Sequence, residues 1–281
     1  MTGSSRLGWF VSGLLQAAPL VLIGQEQMLY TRPATADFIH PSPVGELLPG
    51  GEMPSENAFP GATPLPVMDS QILFDASKQS QEMSRSDTIL DFWFGSLAGP
   101  DYYPQNKTPI WFANDPEIGR QILGNFERDM INAQRGDYNV WRNTPRGRLA
   151  LVLLLDQFPR HAYRNRPQEF MFDRMATALV LEGIQKGDDK KLLPIERAFF
   201  YLPLEHSEDL HLQNLSVANY RQLLIESPEQ LNLQMQDFLQ TAIMHQQQIA
   251  RFGRFPYRNA ILGRESTPEE TVFLMQSRNS K

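Results

Sequence analysis

Chemically active side chains gather next to one strongly apolar segment of this chain. The run from Leu149 to Leu155 is apolar at every position, and Asp156 and Gln157 follow it directly. A carboxylate beside a dry core costs free energy unless a cation neutralises it. Arg160 is the nearest cation in sequence. We therefore expect Asp156 to form a buried ion pair, which serves either the stability of the fold or a functional site.

The densest group of polar residues runs from Glu205 to Asp209. On a helix, Glu205, Glu208 and Asp209 share one face, and His206 is rotated away from it by about 100°. Metal sites inside helical bundles take Glu-x-x-His from two helices, and that spacing is absent here. We therefore expect no metal. We interpret the run as the first turn of a helix whose acids face backbone amides and arginines.

His245 occupies one position of a helical stripe whose other members, from Leu231 to Phe252, are apolar. Its imidazole is therefore expected to point into the protein. An inward histidine is typically hydrogen-bonded to a carbonyl or an acid. The functional alternative is a general base that pairs with Glu205 or Glu208 at the wall of a cavity.

Arginines crowd a short segment near the C-terminus. Guanidinium groups bind carboxylate or phosphate through two parallel hydrogen bonds, so this segment suits a small anion. It equally suits the domain's own acids. Because the domain is nearly neutral, we expect internal pairing to be their main use, and a pocket for a small anion is the open alternative. The basic group is Arg251, Arg254, Arg258 and Arg264, with Asn259 among them, and the acids are Asp156, Glu205, Glu208 and Asp209.

Four segments begin with a capping residue followed by proline. A side-chain oxygen at the N-cap accepts a hydrogen bond from one of the free backbone N–H groups in the first turn. Proline at the next position costs no hydrogen bond, because the N–H of that residue would have no partner within the helix. Gln230 and Glu270 stand where they complete capping boxes in the last two segments. With no convincing strand alternation, the chain is predicted to be all-α. The four starts are Asp115-Pro116, Thr144-Pro145, Ser227-Pro228 and Thr267-Pro268.

Apolar positions at helical spacing predict where the helices lie. The helix at 145–158 contains the apolar run, so we expect it to be the buried centre, far too short to span a membrane. Pro159 should end that helix, because proline removes an amide that a helix interior needs. Helices are expected at 116–134, 145–158, 169–186, 195–201, 206–225 and 228–252, the last capped by Gly253.

Residues 1–82 differ in composition from the rest of the chain. They hold 3 Lys and Arg against 8 Asp and Glu, whereas residues 83–281 hold 23 against 24. Their Pro- and Gly-rich sequence shows no helical or strand periodicity. We therefore predict that residues 1–82 are a disordered extension and that residues 83–281 form one domain. Met83 is a candidate start, and residues 7–23 form an alternative signal or anchor. A near-neutral domain has no basic field for nucleic acid.

The usual sequence motifs of enzymes are missing. The chain has no Gly-rich phosphate loop, no Gly-x-Ser-x-Gly and no His-Glu-x-x-His. It also has no cysteine, which excludes disulfides and thiol nucleophiles and fits a reducing compartment. We therefore expect no cofactor.

One set of segments is distinctive as a group: Ile89–Gly95, Trp111-Phe112, Thr144–Leu151, Leu155–Arg160, Phe200–Asp209, Arg251–Pro256 and Arg258–Glu270. Together they resemble domain-of-unknown-function family 924, a mainly bacterial family similar to tetratricopeptide-type helical superhelices. The resemblance implies an all-α bundle of about seven to nine helices in antiparallel hairpins, with no established activity. His161 stands where the family has asparagine, and Tyr257 stands where it has histidine, so a family base at the second position would be missing here.

These observations predict a soluble, cytoplasmic binding or interaction domain with a groove lined by arginines and carboxylates. Its partner is expected to be a protein, a peptide or a small anionic ligand, and not a nucleic acid or a membrane. The alternative is an enzyme for a small anionic substrate with His206 or His245 as acid and base. A third interpretation treats the same residues as internal ion pairs. The candidate site residues are Asp156, Gln157, Arg160, Glu205, His206, Glu208, His245, Arg251, Arg254, Arg258, Asn259 and Arg264.

Overall fold

The computed structural model of the protein describes residues 85–279, and this part of the chain is helical without a β-strand. The all-α prediction is confirmed, whereas the predictions for residues 1–82 fall outside the described residues. Short 3₁₀ turns separate most of the helices. The α-helices are α1 (residues 85–94), α2 (Thr108–Phe112), α3 (Pro116–Arg135), α4 (Pro145–Val152), α5 (Phe158–Ala162), α6 (Asp173–Lys186), α7 (Pro194–Glu205), α8 (Leu210–Glu226), α9 (Asn232–Phe252) and α10 (Pro268–Asn279).

The centre of the fold is the run from α4 to α5, as the apolar sequence predicts. Every residue from Leu149 to Leu155 is buried. Helices α3, α6 and α7 pack around this run. Each fully buried leucine side chain contributes about 1.5–3 kcal/mol relative to an exposed one, so this segment is a large source of the stability of the domain.

Helix α7 is a second buried axis. All of its residues from Ile195 to Glu205 are buried. It packs against α6 and α8, and α8 packs in turn against α9, so consecutive helices pair as hairpins. Over residues 85–279, none of the helices combines the length and the apolar character needed to cross a bilayer.

The central helix does not stop at Pro159, and this corrects the prediction. Phe158 donates its backbone N–H to the carbonyl of Leu153, five residues back, in a π-helical turn over Leu153–Gln157. The wider turn places Pro159 in the first turn of α5, where no amide is required, and the helix continues to Ala162. Asp156 therefore lies inside a continuous helical stretch rather than at a helix end.

Three of the four predicted N-caps are confirmed. The side-chain oxygens of Asp115, Thr144 and Thr267 each accept a backbone N–H, at 2.8, 3.1 and 3.2 Å. Glu270 completes a capping box by accepting the N–H of Thr267 at 2.7 Å. These caps fix the first turns of α3, α4 and α10.

The predicted start at Ser227-Pro228 is wrong. The Ser227 hydroxyl donates to the carbonyl of Leu223 at 2.7 Å, so it closes the end of α8 instead of capping a new helix. The chain then makes a 3₁₀ turn over Glu229–Leu231, without a side-chain cap, before α9 begins. Gln230 consequently forms no capping box.

The run from Glu205 to Asp209 does not form one helical turn, which corrects a second boundary. Glu205 ends α7, and His206 is its C-terminal cap. Asp209 is the N-cap of α8, where its carboxylate accepts two backbone N–H groups. The acids of this run therefore face different directions and do not share one helix face.

Candidate functional site

Ionisable side chains from distant parts of the chain meet beside the central run. Asp156 comes from the π-helical turn, Arg160 from α5, Asp173 from the start of α6, His206 from the end of α7 and Arg258 from the turn before α10. We call these five residues the charged cluster. Four of them were candidate site residues from the sequence, and Asp173 was not.

Asp156 is the fully buried centre of the charged cluster. Its carboxylate lies 3.0 Å from Nη1 of Arg160 and 2.9 Å from Nδ1 of His206, and Nε2 of Gln157 donates to it at 2.5 Å. Burial raises the pKa of Asp156, but Arg160 and His206 outweigh that effect and hold the pKa at about 2. The carboxylate is therefore ionised throughout the physiological range.

His206 is oriented by this carboxylate. Because Nδ1 faces Asp156, this nitrogen carries the proton and Nε2 carries the lone pair. Within residues 85–279, no hydrogen-bonding group engages Nε2. Burial, together with the nearby charge of Arg160, lowers the pKa of His206 to about 4. The imidazole is thus neutral at pH 7 and can accept a proton at Nε2.

Arg160 and Arg258 share one carboxylate. Nη2 of Arg160 donates to Asp173 at 2.9 Å, and Nη1 of Arg258 reaches the other oxygen of Asp173 at 3.5 Å. Arg258 also donates to the backbone carbonyl of His206 at 2.9 Å and lies 4.5 Å from the centre of the Phe170 ring. Two arginines and two aspartates balance in charge, so the cluster fastens the segment around Arg258 to α6 and α7.

A second carboxylate–histidine pair lies next to the charged cluster. Nδ1 of His245 is 2.9 Å from Oε1 of Glu205, and both side chains are buried. The His245 ring also makes an edge contact with Phe255. The inward orientation of His245 agrees with the apolar stripe of α9. Burial of both partners does not favour His245 as an acid or base toward an external substrate.

The remaining candidate residues pair with one another or with acids in the first turn of α10. Glu208 accepts two hydrogen bonds from Arg264, at 2.7 and 2.9 Å, and one from the backbone N–H of Phe255 at 2.8 Å. The other contacts are Arg254 to Glu270 at 2.7 and 2.8 Å, Asn259 to Glu270 at 3.2 Å, Arg264 to Asn259 at 3.0 Å and Arg251 to Glu269 at 2.8 Å. Internal pairing therefore accounts for these side chains without a ligand.

A cavity of about 370 Å³ opens on the other side of α5, between its C-terminal end and the first turns of α3. We call it the arginine pocket, because three of its side chains are arginines. The sequence interpretation missed it. Its lining residues are Asn114, Pro116, Gly119, Arg120, Leu123, His161, Ala162, Arg164, Asn165 and Arg166.

Arg164 has only neutral hydrogen-bond partners in the arginine pocket. Nη1 donates to the side-chain oxygen of Asn114, and Nη2 donates to Nδ1 of His161 at 3.3 Å. Burial, with the charges of Arg164 and Arg160, lowers the pKa of His161 to about 3, so His161 is a neutral acceptor. Burial also lowers the pKa of Arg164, although the charge of Glu169 opposes the shift. The guanidinium is therefore partly desolvated without a bound counter-ion.

The backbone after α5 places this arginine. Asn165 adopts the left-handed conformation, with φ of 62°, which asparagine tolerates better than most residues. Its N–H donates to the buried carboxylate of Glu169 at 2.9 Å. The tight turn puts Arg164 and Arg166 on the same cavity. The sequence signal was the pair Arg164-Asn165 past Pro159, which echoes Arg258-Asn259 past Pro256, but Arg164 was not included among the candidate site residues.

No metal centre is evident in the part of the chain that the structure describes, since no three of its His, Asp and Glu side chains are grouped to hold an ion. Two features of the described residues carry candidate chemistry, the charged cluster and the arginine pocket. The charged cluster offers an imidazole whose orientation is fixed and whose neighbouring charges cancel. The second offers a cavity with uncompensated positive charge.

One protein-family model and one solved structure match this chain over most of the described helices. A family model described as "Bacterial protein of unknown function (DUF924)" matches residues 89–278. The chain is also similar to a solved structure, the protein of unknown function ATU0120 from Agrobacterium tumefaciens. The two are 33% identical, with a TM-score of 0.58, and the match covers 69% of this chain and 98% of the other. No curated protein matches the chain.

Proposed function

Given that the chain belongs to the family of bacterial proteins of unknown function DUF924, whose description assigns no activity, we propose that its domain binds a small anionic ligand in the arginine pocket. The observation that carries the proposal is the side chain of Arg164. It is partly desolvated, it contacts only neutral groups, and it faces a cavity large enough for a small molecule.

The other arginines of the domain support this proposal by contrast. Removing a charge from water costs free energy that a close counter-ion offsets. Among residues 85–277, each buried arginine has a carboxylate within 4 Å, whereas the half-buried Arg164 has none. The pairs are Arg148 with Glu182 and Asp188, Arg160 with Asp156 and Asp173, Arg197 with Glu226, and Arg258 with Asp173.

The experiment is a thermal-shift screen on the full 281-residue chain, with small carboxylates and phosphates at constant ionic strength. A ligand at 100 times its dissociation constant stabilises the folded state by about 2.7 kcal/mol. For a domain of this size, that corresponds to a rise in Tm of about 5–10 °C. Arg164→Gln should abolish the shift. Arg128→Gln, an exposed arginine on α3 outside the pocket, is the matched control and should retain it.

The result that overturns the proposal is an anion-induced shift that survives in Arg164→Gln, or no shift with any anion. Either result would assign the pocket a purely structural role. In that case internal pairing would be the only use of the charged side chains that the observations support.

A second candidate function, an enzyme with His206 as acid and base, rests on a separate observation. A buried carboxylate fixes Nδ1 of His206 and leaves Nε2 without a partner in the described part of the chain, which is how general bases are oriented. The test is turnover of any ligand found in the screen, compared between the native protein and His206→Gln. Equal turnover would remove His206 from the reaction.

A cytoplasmic location, which the sequence predicts, is part of the same proposal. Its support is the composition, because a chain without cysteine gains nothing from an oxidising compartment. Cell fractionation with an antibody against the native protein would test it, and recovery of the protein outside the cytoplasm would contradict it.

A further inference from the structure

We infer that the arginine pocket selects a phosphate monoester of a small organic molecule, a ligand with two negative charges, over a monocarboxylate. This inference rests on the anion-binding function proposed above and deepens it by naming the ligand class. It is carried by the charge balance of the pocket wall, by the hydrogen-bonding geometry of Arg164 and by the apolar part of the lining.

The charge balance of the pocket wall leaves two guanidiniums without a counter-ion. Arg120 is neutralised by Glu117, at 2.7 Å. Arg164 and Arg166 have no carboxylate within 4 Å among the described residues. A phosphate monoester carries a charge of about −1.5 to −2 at pH 7, so it matches this excess, whereas a monocarboxylate leaves one charge uncompensated.

Two further acids lie close to the pocket, and neither cancels this excess. Asp115 accepts the backbone N–H of Glu117 at 2.8 Å, so it offsets the partial positive charge at the start of α3. The buried Glu169 interacts electrostatically with Arg160, Arg164 and Arg258 together. Glu169 forms no ion pair with Arg164 within 4 Å and accepts the backbone N–H of Asn165, so it offsets the charge of Arg164 only from a distance and leaves Arg166 unbalanced.

The geometry of Arg164 fits a tetrahedral oxyanion. Its two terminal nitrogens already donate to two separate acceptors, the side-chain oxygen of Asn114 and Nδ1 of His161. Both acceptors are neutral, and two oxygens of a phosphate group can replace them with stronger charge-assisted hydrogen bonds. A third phosphate oxygen then remains for Arg166, which lines the same cavity.

The rest of the lining favours an organic group over a bare phosphate ion. Pro116, Gly119, Leu123 and Ala162 give the cavity an apolar part, and its volume of about 370 Å³ lies within the range of small-molecule sites. The walls are held close together. A Cβ on Gly119 would lie 2.4 Å from the carbonyl oxygen of His161, so α3 and the end of α5 are in direct contact there. The organic group must therefore be small.

The test is isothermal titration calorimetry of the full chain with three probes: phenyl phosphate, orthophosphate and benzoate. Phenyl phosphate and benzoate carry the same ring but different charge, and phenyl phosphate and orthophosphate are both mainly dianions at pH 7.5 but differ in the ring. We expect phenyl phosphate to bind about tenfold more tightly than either of the other two. Lowering the pH from 7.5 to 5.5 should weaken the binding of phenyl phosphate about fourfold, because its second ionisation lies near pH 6.

Two variants and one control locate the binding. Arg164→Gln should weaken the binding of phenyl phosphate by about 10- to 100-fold. Arg166→Gln keeps the fold, because the side chain is exposed, and should reduce the preference for phenyl phosphate over benzoate. Arg128→Gln should change nothing. If Arg164→Gln does not fold, Arg166→Gln alone still decides the question.

The outcomes separate this inference from the function on which it rests. Benzoate that binds as tightly as phenyl phosphate, and that loses its binding in Arg164→Gln, overturns the phosphate assignment and leaves anion binding in the pocket intact. Unchanged phenyl phosphate preference in Arg166→Gln also overturns the assignment. No binding of any of the three probes overturns both.

Discussion

Acid should destabilise this protein through two buried histidines, His161 and His206. Burial lowers the pKa of His161 to about 3 and that of His206 to about 4, whereas an unfolded histidine titrates near 6.5. Between pH 8 and pH 5.5, the unfolded chain therefore takes up nearly two protons at these positions that the folded chain does not. Because protons then bind preferentially to the unfolded state, stability falls as the pH drops below 6.5.

The size of the effect follows from the two pKa values of each histidine. At pH 5.5, the loss relative to pH 8 is about 1.4 kcal/mol for each histidine and about 3 kcal/mol for the two together. That is a large part of a typical total stability of about 5–15 kcal/mol. Burial raises the pKa of Glu169 and of Glu196, so these groups act in the opposite direction as the pH approaches 5. The comparison is therefore best made at pH 5.5 and above.

The assay is urea unfolding, followed by tryptophan fluorescence, at several pH values from 5.5 to 8.5. The free energy of unfolding should be flat above pH 7.5 and should fall below pH 6.5. His161→Gln and His206→Gln should each remove about half of the fall. An unfolding free energy that stays constant down to pH 5.5, with an unchanged m-value, would refute the reasoning that both imidazoles are held neutral.

Two further predictions concern packing and charge in the same region. Gly119→Ala places a Cβ 2.4 Å from the carbonyl oxygen of His161 and should lower the free energy of unfolding by about 1–3 kcal/mol. Gly124 lies on the same helix, and a Cβ there would meet nothing within 4 Å. Gly124→Ala should therefore raise the free energy of unfolding by about 0.5–1 kcal/mol. Equal effects of the two in urea unfolding would contradict the close contact between α3 and α5. Asp156→Ala removes the fully buried carboxylate that Arg160 and His206 share, leaves Arg160 with Asp173 alone, and should cost about 3–5 kcal/mol. A loss under 1 kcal/mol in the same assay would mean that Arg160 finds other partners.

Local chemistry explains why most of the fold could be predicted from the sequence. The apolar run Leu149–Leu155 has no polar face, which predicts burial, and the Thr144-Pro145 start before it predicts a helix; the structure shows both. The caps Asp115, Thr144 and Thr267 satisfy amides within their own first turn, so their effect needs no knowledge of the tertiary structure. Ser227 failed because its hydroxyl had an equally local alternative, the carbonyl of Leu223 at the end of the preceding helix.

Long-range pairing explains why the candidate site was only partly predictable. The contact of Asp156 with Arg160 spans four residues and could be inferred from helical spacing. The contact of Asp156 with His206 joins residues 50 positions apart, and no sequence pattern shows that two such distant residues lie close together in the fold. The pairing of His245 with Glu205 was one of two alternatives, and composition alone could not decide between Glu205 and Glu208.

The arginine pocket depends on a feature that sequence periodicity conceals, the π-helical turn at Leu153–Gln157. Such a turn inserts one residue into a helix, and one residue rotates everything after it by about 100°. With this rotation, Arg160 faces the charged cluster and the adjacent His161 faces the pocket. A regular helix through Pro159 would turn both side chains to other faces. The contact of Arg160 with Asp173 and the position of His161 on the cavity are therefore two consequences of the same irregular turn, and a deletion that restores a regular α-helix there should disrupt both.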